Sequence, residues 1–402
     1  MGLNIAMLSI HSSPIGDLGT RDTGGMSVYI RETARAMGRL GHRIDIFTQH
    51  HCGEKDPFLD LCDQVRLIHL TGGAEKNIPK SDIYEYLPDL FSELQSFQDV
   101  QRIAYDVIHS HYWLSGVLGA MAQATWQIPH LITYHTIGAV KNRVSLSGRE
   151  SELRLANEKR LAHECDAVVV PSNNEKEYLV RYYAAPQNKI RVVPCGVNLE
   201  TFKPMDKSAA RRQLALTDAA GIVLYVGRYS TVKGIDRLFR ALSHLDHLDS
   251  LLLVMVGGDG EHSPMYEHFQ AMANRLNIHH RVVFAGRIPQ EILPVWYSAA
   301  DVLAVPSDYE SFGLVSLEAL ACGTPVVATP VGAMTAIIQN GVNGYVADNM
   351  DARHFAQLLE SIVLKQHQDV FSQTDIRASV TSLTWEKPAA LLLEAYQQLL
   401  DH

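Results

Sequence analysis

Short apolar runs alternate with amphipathic stretches along almost the whole chain. In the first half the strand-like runs cover 5–11, 44–48, 65–70, 107–110, 130–135, 167–171 and 190–193. The alternation then restarts, with further runs at 222–227, 251–257, 282–285, 302–306 and 326–328. Strands that alternate with helical periodicity are typical of parallel sheets covered by helices on both faces. The pattern predicts an α/β protein with two parallel-sheet domains in series.

The break between the two cycles predicts the domain boundary. Segment 194–204 contains proline and glycine and separates the last run of the first cycle from the first run of the second. We therefore expect domains at 1–198 and 199–384, which is reasonable for a chain of 402 residues. The apolar C-terminal segment 385–402 predicts a helix with Pro388 in its first turn, and we expect it to pack back on the first domain.

Composition narrows the class of protein without defining its chemistry. The chain is 47% hydrophobic and 20% charged, with a formal net charge of −9. This acidic balance argues against nucleic acid as a partner and gives little support to an anionic membrane surface. Five scattered cysteines form no CxxC pair, which favours a reducing compartment. Because no apolar run is long enough to span a membrane, we expect a cytoplasmic protein without stable membrane insertion.

Segment 308–319 contains the most closely spaced candidate binding residues. Glu310 and Glu318, separated by seven residues, follow a strand-like run where a helix should begin. The backbone N–H groups expected at the mouth of that helix belong to Ser311, Phe312, Gly313 and Leu314. Such groups favour an anion, and Glu318 should lie two turns below Ser311 on the same helical stripe. A sugar nucleotide, with phosphate flanked by hydroxyl groups, would fill this site.

Two further strand ends carry phosphate-binding chemistry. Gly24 and Gly25 lie between a long loop and a helix, where the backbone can approach a phosphate closely, although a plain helix entry explains them too. Arg228 and Lys233 follow the run 222–227 and suit a diphosphate held without metal. A solvated loop with two ordinary charges is the alternative. The absence of GxGxxG disfavours a nicotinamide dinucleotide.

Histidines follow two more strand-like runs. His135 ends one of them and can hydrogen-bond a sugar hydroxyl, or it is a core histidine bonded to the backbone. His109 and His111 share one side of a strand and could chelate a metal, but the sequence offers no clear third ligand. We therefore expect no metal site. The glycine turn 257–260 either leaves room for a nucleobase or is a simple turn.

Together these residues resemble the retaining glycosyltransferases of family 4, which have the GT-B fold of two Rossmann-like domains facing a cleft. The resemblance covers essentially the whole chain, and it implies that Glu310 contacts the donor sugar and Glu318 the ribose of the nucleotide. The implied catalytic residues are Glu310, Arg228, Lys233 and His135. The implied donor-binding residues are Gly24, Gly25, Arg228, Lys233, Glu310, Ser311, Phe312, Gly313, Leu314 and Glu318.

Within this family the N-terminal half is similar to the members that act on inositol 3-phosphate in mycothiol synthesis. The stretches that carry this similarity are 9–14, 22–26, 109–116 and 139–142. The resemblance implies that the acceptor phosphate is bound by Lys80, Tyr112, Thr136 and Arg154. Two departures stand out: Ser27 replaces a usual asparagine, and 143–151 is shorter than the matching loop.

The resemblance implies an enzyme that moves a sugar from a nucleoside diphosphate, such as UDP-GlcNAc, to a phosphorylated polyol or sugar, such as inositol 3-phosphate. It implies anomeric retention, no catalytic metal and no tightly bound cofactor. Sucrose-phosphate synthases share the Asp-Thr-Gly-Gly loop, so transfer to fructose 6-phosphate stays open. A phosphorylase or epimerase on this scaffold, a non-catalytic nucleotide-sugar-binding protein and homodimer formation also stay open.

Overall fold

Two parallel sheets, one in each half of the chain, organise the molecule. The computed structural model describes residues 2–16, 23–50, 58–73, 78–144, 148–217, 221–248, 250–258, 260, 263–364 and 372–401. The strands are β1 Asn4–Leu8, β2 Arg43–Gln49, β3 Phe58–Cys62, β4 Val65–Leu70, β5 Val107–His111, β6 His130–Thr133, β7 Ala167–Val170, β8 Ile190–Val192, β9 Gly221–Val226, β10 Leu251–Val256, β11 Val282–Gly286, β12 Val302–Val305, β13 Val326–Ala328 and β14 Gly344–Val346.

Helices connect most of these strands and cover both faces of each sheet. They are α1 Gly25–Arg39, α2 Ile83–Gln101, α3 Tyr112–Trp126, α4 Gly138–Val144, α5 Glu152–Glu164, α6 Asn173–Tyr183, α7 Lys207–Gln213, α8 Ile235–Ser243, α9 Pro264–Arg275, α10 Leu293–Ala299, α11 Leu314–Ala321, α12 Met334–Ile337, α13 Ala352–Val363, α14 Gln373–Ala378 and α15 Glu386–Leu400. Among the described residues, no helix is both long and apolar enough to cross a membrane.

Each sheet has the strand order of a doubly wound domain. The first runs β3-β4-β2-β1-β5-β6-β7-β8, and the second runs β11-β10-β9-β12-β13-β14. Neighbouring strands are parallel, except that β3 pairs antiparallel with β4 at one edge. In both sheets the order reverses beside the first strand, at β1/β5 and at β9/β12. Ligands of such sheets bind at the carboxyl ends of the strands near this reversal. The prediction of two Rossmann-like domains is confirmed.

The predicted strands are present, but several end earlier than their apolar runs. The run 5–11 leaves the sheet after Leu8, the run 130–135 after Thr133 and the run 302–306 after Val305. The remaining residues of these runs form the loops at the carboxyl ends. Strands β3 and β14 were not predicted. The first is largely exposed and lacks a buried apolar run, and the second has only three residues.

One hydrophobic cluster runs through both domains. It contains Met7 from the first sheet, Leu303 from the second and Leu392 from α15, all fully buried. Two further clusters cover the outer face of each sheet. The two domains therefore share a core as well as a cleft.

Helix α15 packs on the first domain although it ends the chain. The hydroxyl of buried Tyr396 lies 2.6 Å from Nδ1 of His109 in β5. Near the start of the helix, Glu386 pairs with Arg39 at 3.5 Å. The N–H of Val197 donates to the carbonyl of Leu383 at 2.8 Å, which joins the connecting segment to the stretch before α15. The expected return of the last helix is confirmed, while the boundaries at 198 and 384 stay predictions.

We predict that Tyr396→Phe destabilises the protein, because it leaves Nδ1 of buried His109 without its partner. An unpaired buried polar group costs about 1–3 kcal/mol, so the free energy of unfolding in urea should fall by about that much. Gln398→Ala, on an exposed position of the same helix, should change it by no more than about 0.5 kcal/mol. Equal effects of the two substitutions would contradict the prediction.

Candidate active site

A cavity of about 370 Å³ lies between the carboxyl ends of the two sheets. That volume is ordinary for a small-molecule site. The first domain contributes Gly24, Gly25, Lys80, Tyr112, His135, Thr136 and Arg154, and the second contributes Arg228, Lys233, Glu310, Ser311, Phe312, Gly313, Leu314 and Glu318. Every site residue that the sequence suggested therefore lines one cleft. Their individual roles stay predictions.

Glu310 lies on the loop between β12 and α11. Its Oε1 accepts hydrogen bonds from Lys233 Nζ at 2.6 Å and from Ser307 Oγ at 2.7 Å. Lys233 ends a short helical turn that follows β9. The carboxylate expected at the sugar and a cation expected at the diphosphate thus form an ion pair. A diphosphate in this cleft would share Lys233 with Glu310.

Helix α11 begins at Leu314 because Gly313 turns the backbone immediately before it. Gly313 has φ of +101°, in the left-handed region, and a Cβ there would lie 2.2 Å from Cε of Met334. Only glycine fits this turn. Ser311 consequently lies outside the helix, so the expectation that Ser311 and Glu318 share a helical stripe is wrong. Glu318 lies in the second turn of the helix.

The Glu318 carboxylate is buried at the junction of the domains. Its Oε2 accepts from Tyr297 OH at 2.7 Å, and its Oε1 accepts from Gln290 Nε2 at 3.3 Å. Arg31 of α1 donates in turn to Gln290 Oε1 at 2.5 Å. Burial raises the pKa of Glu318, and the two side-chain hydrogen bonds oppose that rise.

Two helix N-termini meet across the cleft. Gly25 begins α1, and a Cβ on it would lie 3.4 Å from Cδ1 of Leu314, which begins α11. The unpaired N–H groups of both helices direct partial positive charge into the space between the domains. Arg228, exposed at the end of β9, adds a full charge to the same region. This part of the cleft suits a diphosphate.

The opposite end of the cleft is a cationic patch around one aromatic ring. The Arg154 guanidinium and the Lys80 ammonium each lie 4.8 Å from the ring centroid of Tyr112. Arg154 Nη2 donates to the carbonyl of Thr136 at 2.9 Å and lies 3.0 Å from its Oγ1. The four residues that the resemblance assigned to the acceptor are therefore neighbours. Charged donors around a hydroxyl-bearing ring suit an anionic oxyacid.

Lys141 belongs to the same wall and was not predicted as a site residue. It pairs with Glu150, whose other oxygen lies 2.9 Å from Arg154 Nη1. Glu158 accepts from Arg154 Nε at 2.6 Å and is fully buried. Arg154 and Glu158 lie four residues apart on α5, and Glu150 lies just before the helix, so the spacing of the three residues was a signal in the sequence for this network.

His135 lines the cleft from the loop that follows β6. Its φ is +59°, and its Nε2 lies 2.9 Å from Nδ1 of His111. Burial lowers the pKa of His135 to about 3, which keeps its imidazole neutral at ordinary pH. His109 Nε2 lies 2.9 Å from Thr133 Oγ1 and is therefore engaged within the protein. Across the described part of the chain, no group of three or more His, Cys, Asp or Glu side chains could hold a metal.

Some positions named from the sequence lie outside the described residues. They are 17–22 of the loop before Gly24, one of the five cysteines (Cys52), 145–147 of the short segment and Asp259 of the glycine turn. Gly257 of that turn lines the cleft, with φ of +120°. Ser27, which replaces the usual asparagine, is buried beside the cleft with its Oγ 3.0 Å from Ser12 Oγ.

Comparisons with known proteins agree with this geometry. Residues 23–201 match the model of "Glycosyltransferase Family 4", and residues 206–374 match that of "Glycosyl transferases group 1". The D-inositol 3-phosphate glycosyltransferase of Xylanimonas cellulosilytica is 36% identical, covering 99% of this chain and 97% of its own length. That of Catenulispora acidiphila is 34% identical, covering 99% and 95%.

Solved structures with a similar fold agree with these sequence comparisons. The sucrose-phosphate synthase of Thermosynechococcus elongatus superposes with a TM-score of 0.90 at 33% identity and covers 99% of both chains. HepE of Anabaena in complex with UDP-glucose shares the fold, with a TM-score of 0.77 at 19% identity over 99% of this chain and 100% of that one. The two matched family models cover both domains of this cleft, and both describe glycosyltransferases. The chain belongs to glycosyltransferase family 4.

We predict that acidification destabilises the fold. Within the described residues, burial lowers the pKa of His11, His109, His111, His130 and His135. In the unfolded chain each of these histidines has a pKa near the usual 6.5. In the folded protein the pKa of His109, His130 and His135 is only about 3. Stability is therefore present above pH 6.5 and falls as the pH drops below it, by up to about 1.4 kcal/mol per pH unit for each histidine.

The free energy of unfolding, measured in urea at pH 7.5, 6.5 and 5.5, gives the slope of stability against pH. Buried Glu175 and Glu318 have raised pKa values and act in the opposite direction, but the histidines outnumber them. His268→Gln, at an exposed position, should leave the slope unchanged. A free energy of unfolding that is flat or rises on acidification would contradict the prediction.

Proposed function

We propose that this glycosyltransferase moves a sugar from a nucleoside diphosphate to a hydroxyl of a phosphorylated polyol, with retention of anomeric configuration. As donor we propose a UDP-sugar such as UDP-GlcNAc, and as acceptor inositol 3-phosphate. One observation carries the proposal: the same cleft has Glu310 and Lys233 with two helix N-termini on one side and the Lys80–Arg154 patch on the other. Two separate anion sites, with the Glu310 carboxylate at one of them, fit two anionic substrates that react through uncharged sugar atoms.

The donor half is supported by the charges of the second domain. Arg228, Lys233 and the N-terminus of α11 would bind the diphosphate and stabilise the charge that develops as it leaves. Glu310 would accept hydrogen bonds from the sugar hydroxyls, and Glu318 from the ribose. HepE, named above in complex with UDP-glucose, lends the uridine nucleotide further support.

Retention fits a front-face reaction in this cleft. Glu310 is engaged by Lys233 and Ser307, so it is better suited to hydroxyl recognition than to covalent attack. In our proposal the acceptor oxygen bonds to the anomeric carbon as the bond to the diphosphate breaks, and the acceptor proton goes to the departing phosphate oxygen. Neutral His135 would hydrogen-bond the sugar, and approach of the domains would exclude water.

The acceptor half is supported by the cationic patch of the first domain. Lys80 and Lys141 supply ammonium groups, while Arg154 is fixed by Glu158 and presents Nη2 toward Thr136. A fixed guanidinium with nearby ammonium groups binds a phosphate monoester well. The relatives named for D-inositol 3-phosphate support that acceptor.

Fructose 6-phosphate is the second candidate acceptor. Ser27, which stands where the enzymes acting on inositol 3-phosphate usually have asparagine, is a departure that keeps this alternative open. The high similarity to a protein named as a sucrose-phosphate synthase favours it. Both acceptors carry the phosphate that the patch would bind, and they differ in the ring that carries it.

A donor and acceptor panel tests the proposed function. We expect UDP release from a UDP-sugar to depend on inositol 3-phosphate, with formation of the same anomer as in the donor, measured by coupled assay and NMR. GDP- and ADP-sugars serve as alternative donors and fructose 6-phosphate as the alternative acceptor. Glu310→Gln should lower turnover by at least about 100-fold, and exposed Glu267→Gln should not. Acceptor-independent release, or none with any pair, would contradict the proposal.

We also predict that the two anion sites separate in binding experiments. Arg228→Ala should weaken the affinity for free UDP by about tenfold, measured by calorimetry, and leave the KM for the acceptor nearly unchanged. Lys80→Ala should do the reverse, raising the acceptor KM without changing UDP affinity. If both substitutions weaken the same ligand, the division of the cleft into donor and acceptor halves is wrong.

A further inference from the structure

The start of α6 in the first domain contacts the loops of the second domain. We call residues 172–175 the α6 turn. Ser172 Oγ donates to the carbonyl of Ser311 at 3.3 Å, and Asn174 Nδ2 donates to the carbonyl of Gly332 at 2.8 Å. Both acceptors belong to segments that surround Glu310.

Glu175 makes the strongest of these contacts. Its Oε1 accepts from Ser311 Oγ at 2.5 Å and from Tyr309 OH at 3.1 Å. The Tyr309 hydroxyl in turn accepts from the N–H of Ile137 at 2.9 Å. The residues immediately before and after Glu310 are thus both bound by groups of the first domain.

The sequence of the α6 turn makes this arrangement unusual. Ser172 caps α6 by accepting from the N–H of Glu175 at 3.3 Å, which is half of a capping box. In a complete capping box the glutamate would turn back to the N–H of the serine. Here its carboxylate bonds the other domain instead. Local helix stability therefore does not explain the position of this carboxylate.

Burial makes this placement energetically demanding. Glu175 is 1% exposed, and burial raises its pKa to about 7 while the hydrogen bonds from Ser311 and Tyr309 oppose the rise. A buried carboxylate is costly unless donors reach it, and both side-chain donors come from the second domain. The bonds thus specify one arrangement of the two domains.

The contact through Asn174 acts on the other side of Glu310. Gly332 has φ of +58°, and a Cβ on it would lie 2.9 Å from Cβ of Glu310 and 3.0 Å from its carbonyl oxygen. The backbone of Glu310 therefore packs directly on the segment that Asn174 binds. A shift of the α6 turn would reach Glu310 through both neighbouring segments.

We propose that Glu175 is a positioning residue that couples the approach of the two domains to the orientation of Glu310. The inference rests on the proposed function in one respect, namely that Glu310 binds the donor sugar. With the α6 turn in place, loop 309–311 keeps the Glu310 carboxylate beside Lys233 and open to the cleft. Glu175 itself lies behind this loop and acts only through Ser311 and Tyr309.

Loss of this coupling should change how much of the donor sugar is transferred to the acceptor and how much is hydrolysed. When the loop is not fixed, the sugar is less well oriented for the acceptor and water enters the cleft more easily. Water then replaces the acceptor: its oxygen bonds to the anomeric carbon, the bond to the diphosphate breaks, and the proton goes to the diphosphate. Hydrolysis should rise relative to transfer, which a loss of folded protein alone would not cause.

The test compares Glu175→Ala and Glu175→Gln in the full-length enzyme. We expect Glu175→Ala to lower kcat for transfer by about 10- to 100-fold and to raise the ratio of donor hydrolysis to transfer several-fold. The affinity for free UDP should change by less than about threefold, since Arg228 and Lys233 are untouched. Glu175→Gln keeps a carbonyl oxygen that accepts both hydrogen bonds, so it should restore most of the transfer rate.

Exposed Glu177 on the same helix provides the matched control, and Glu177→Ala should retain the wild-type ratio and kcat. Adding Ser311→Ala to the Glu175→Ala variant should lower kcat little further, because both substitutions remove the same hydrogen bond. An unchanged hydrolysis ratio and kcat in Glu175→Ala would overturn the proposal. So would a Glu175→Gln variant as impaired as Glu175→Ala at equal melting temperature.

Small-angle scattering separates this inference from the proposed function. We expect Glu175→Ala to show a larger radius of gyration than wild type or Glu177→Ala, with or without UDP. That comparison holds even if no sugar is transferred to any acceptor. Equal radii in all three proteins would overturn the coupling, whereas failure of the donor and acceptor panel alone would overturn only the proposed reaction.

Discussion

The return of α15 to the first domain is the constraint on which the cleft depends. Each parallel sheet places its ligand-binding loops at the carboxyl ends of its strands, but nothing within one sheet requires those ends to face the other sheet. Leu392 and Tyr396 are buried in a cluster that contains residues of both sheets, which holds the two domains together. The contact between Gly25 and Leu314, and the chain from Arg31 through Gln290 to Glu318, exist only in this arrangement.

Charge in the cleft is organised as pairs. Lys233 is paired with Glu310, Lys141 with Glu150, and Arg154 with both Glu150 and Glu158. Such pairing holds the cations in fixed positions and keeps the two ends of the cleft from repelling one another. A phosphate must therefore compete with a carboxylate for its cation, which favours ligands that also satisfy the carboxylate through hydroxyl groups. Neutral His135, which lines the cleft, adds hydrogen-bonding atoms without adding charge.

The fold and most of the cleft could be predicted because both follow local rules. Apolar runs locate the strands, and the loops after parallel strands locate Glu310, Arg228 and His135. The start of α11 was not predicted, because glycine can adopt either sign of φ and only the structure shows that Gly313 takes +101° directly before the helix. Glu175 was missed because Ser172 and Glu175 have the spacing of a capping box, while its partners lie 134 and 136 residues away.

The shared core also has a consequence for recombination between relatives. The residues of α15 are encoded at the end of the chain, yet Tyr396 contacts His109 and Glu386 pairs with Arg39. A chimera joined near residue 198 would combine one parent's β5 and α1 with the other parent's last helix. If the parents differ at these contacts, the last helix would not match the first domain, even when each half folds well in its own parent. In this architecture, a first domain transplanted to change acceptor preference should carry the final helix with it, so the natural unit of exchange is discontinuous in sequence.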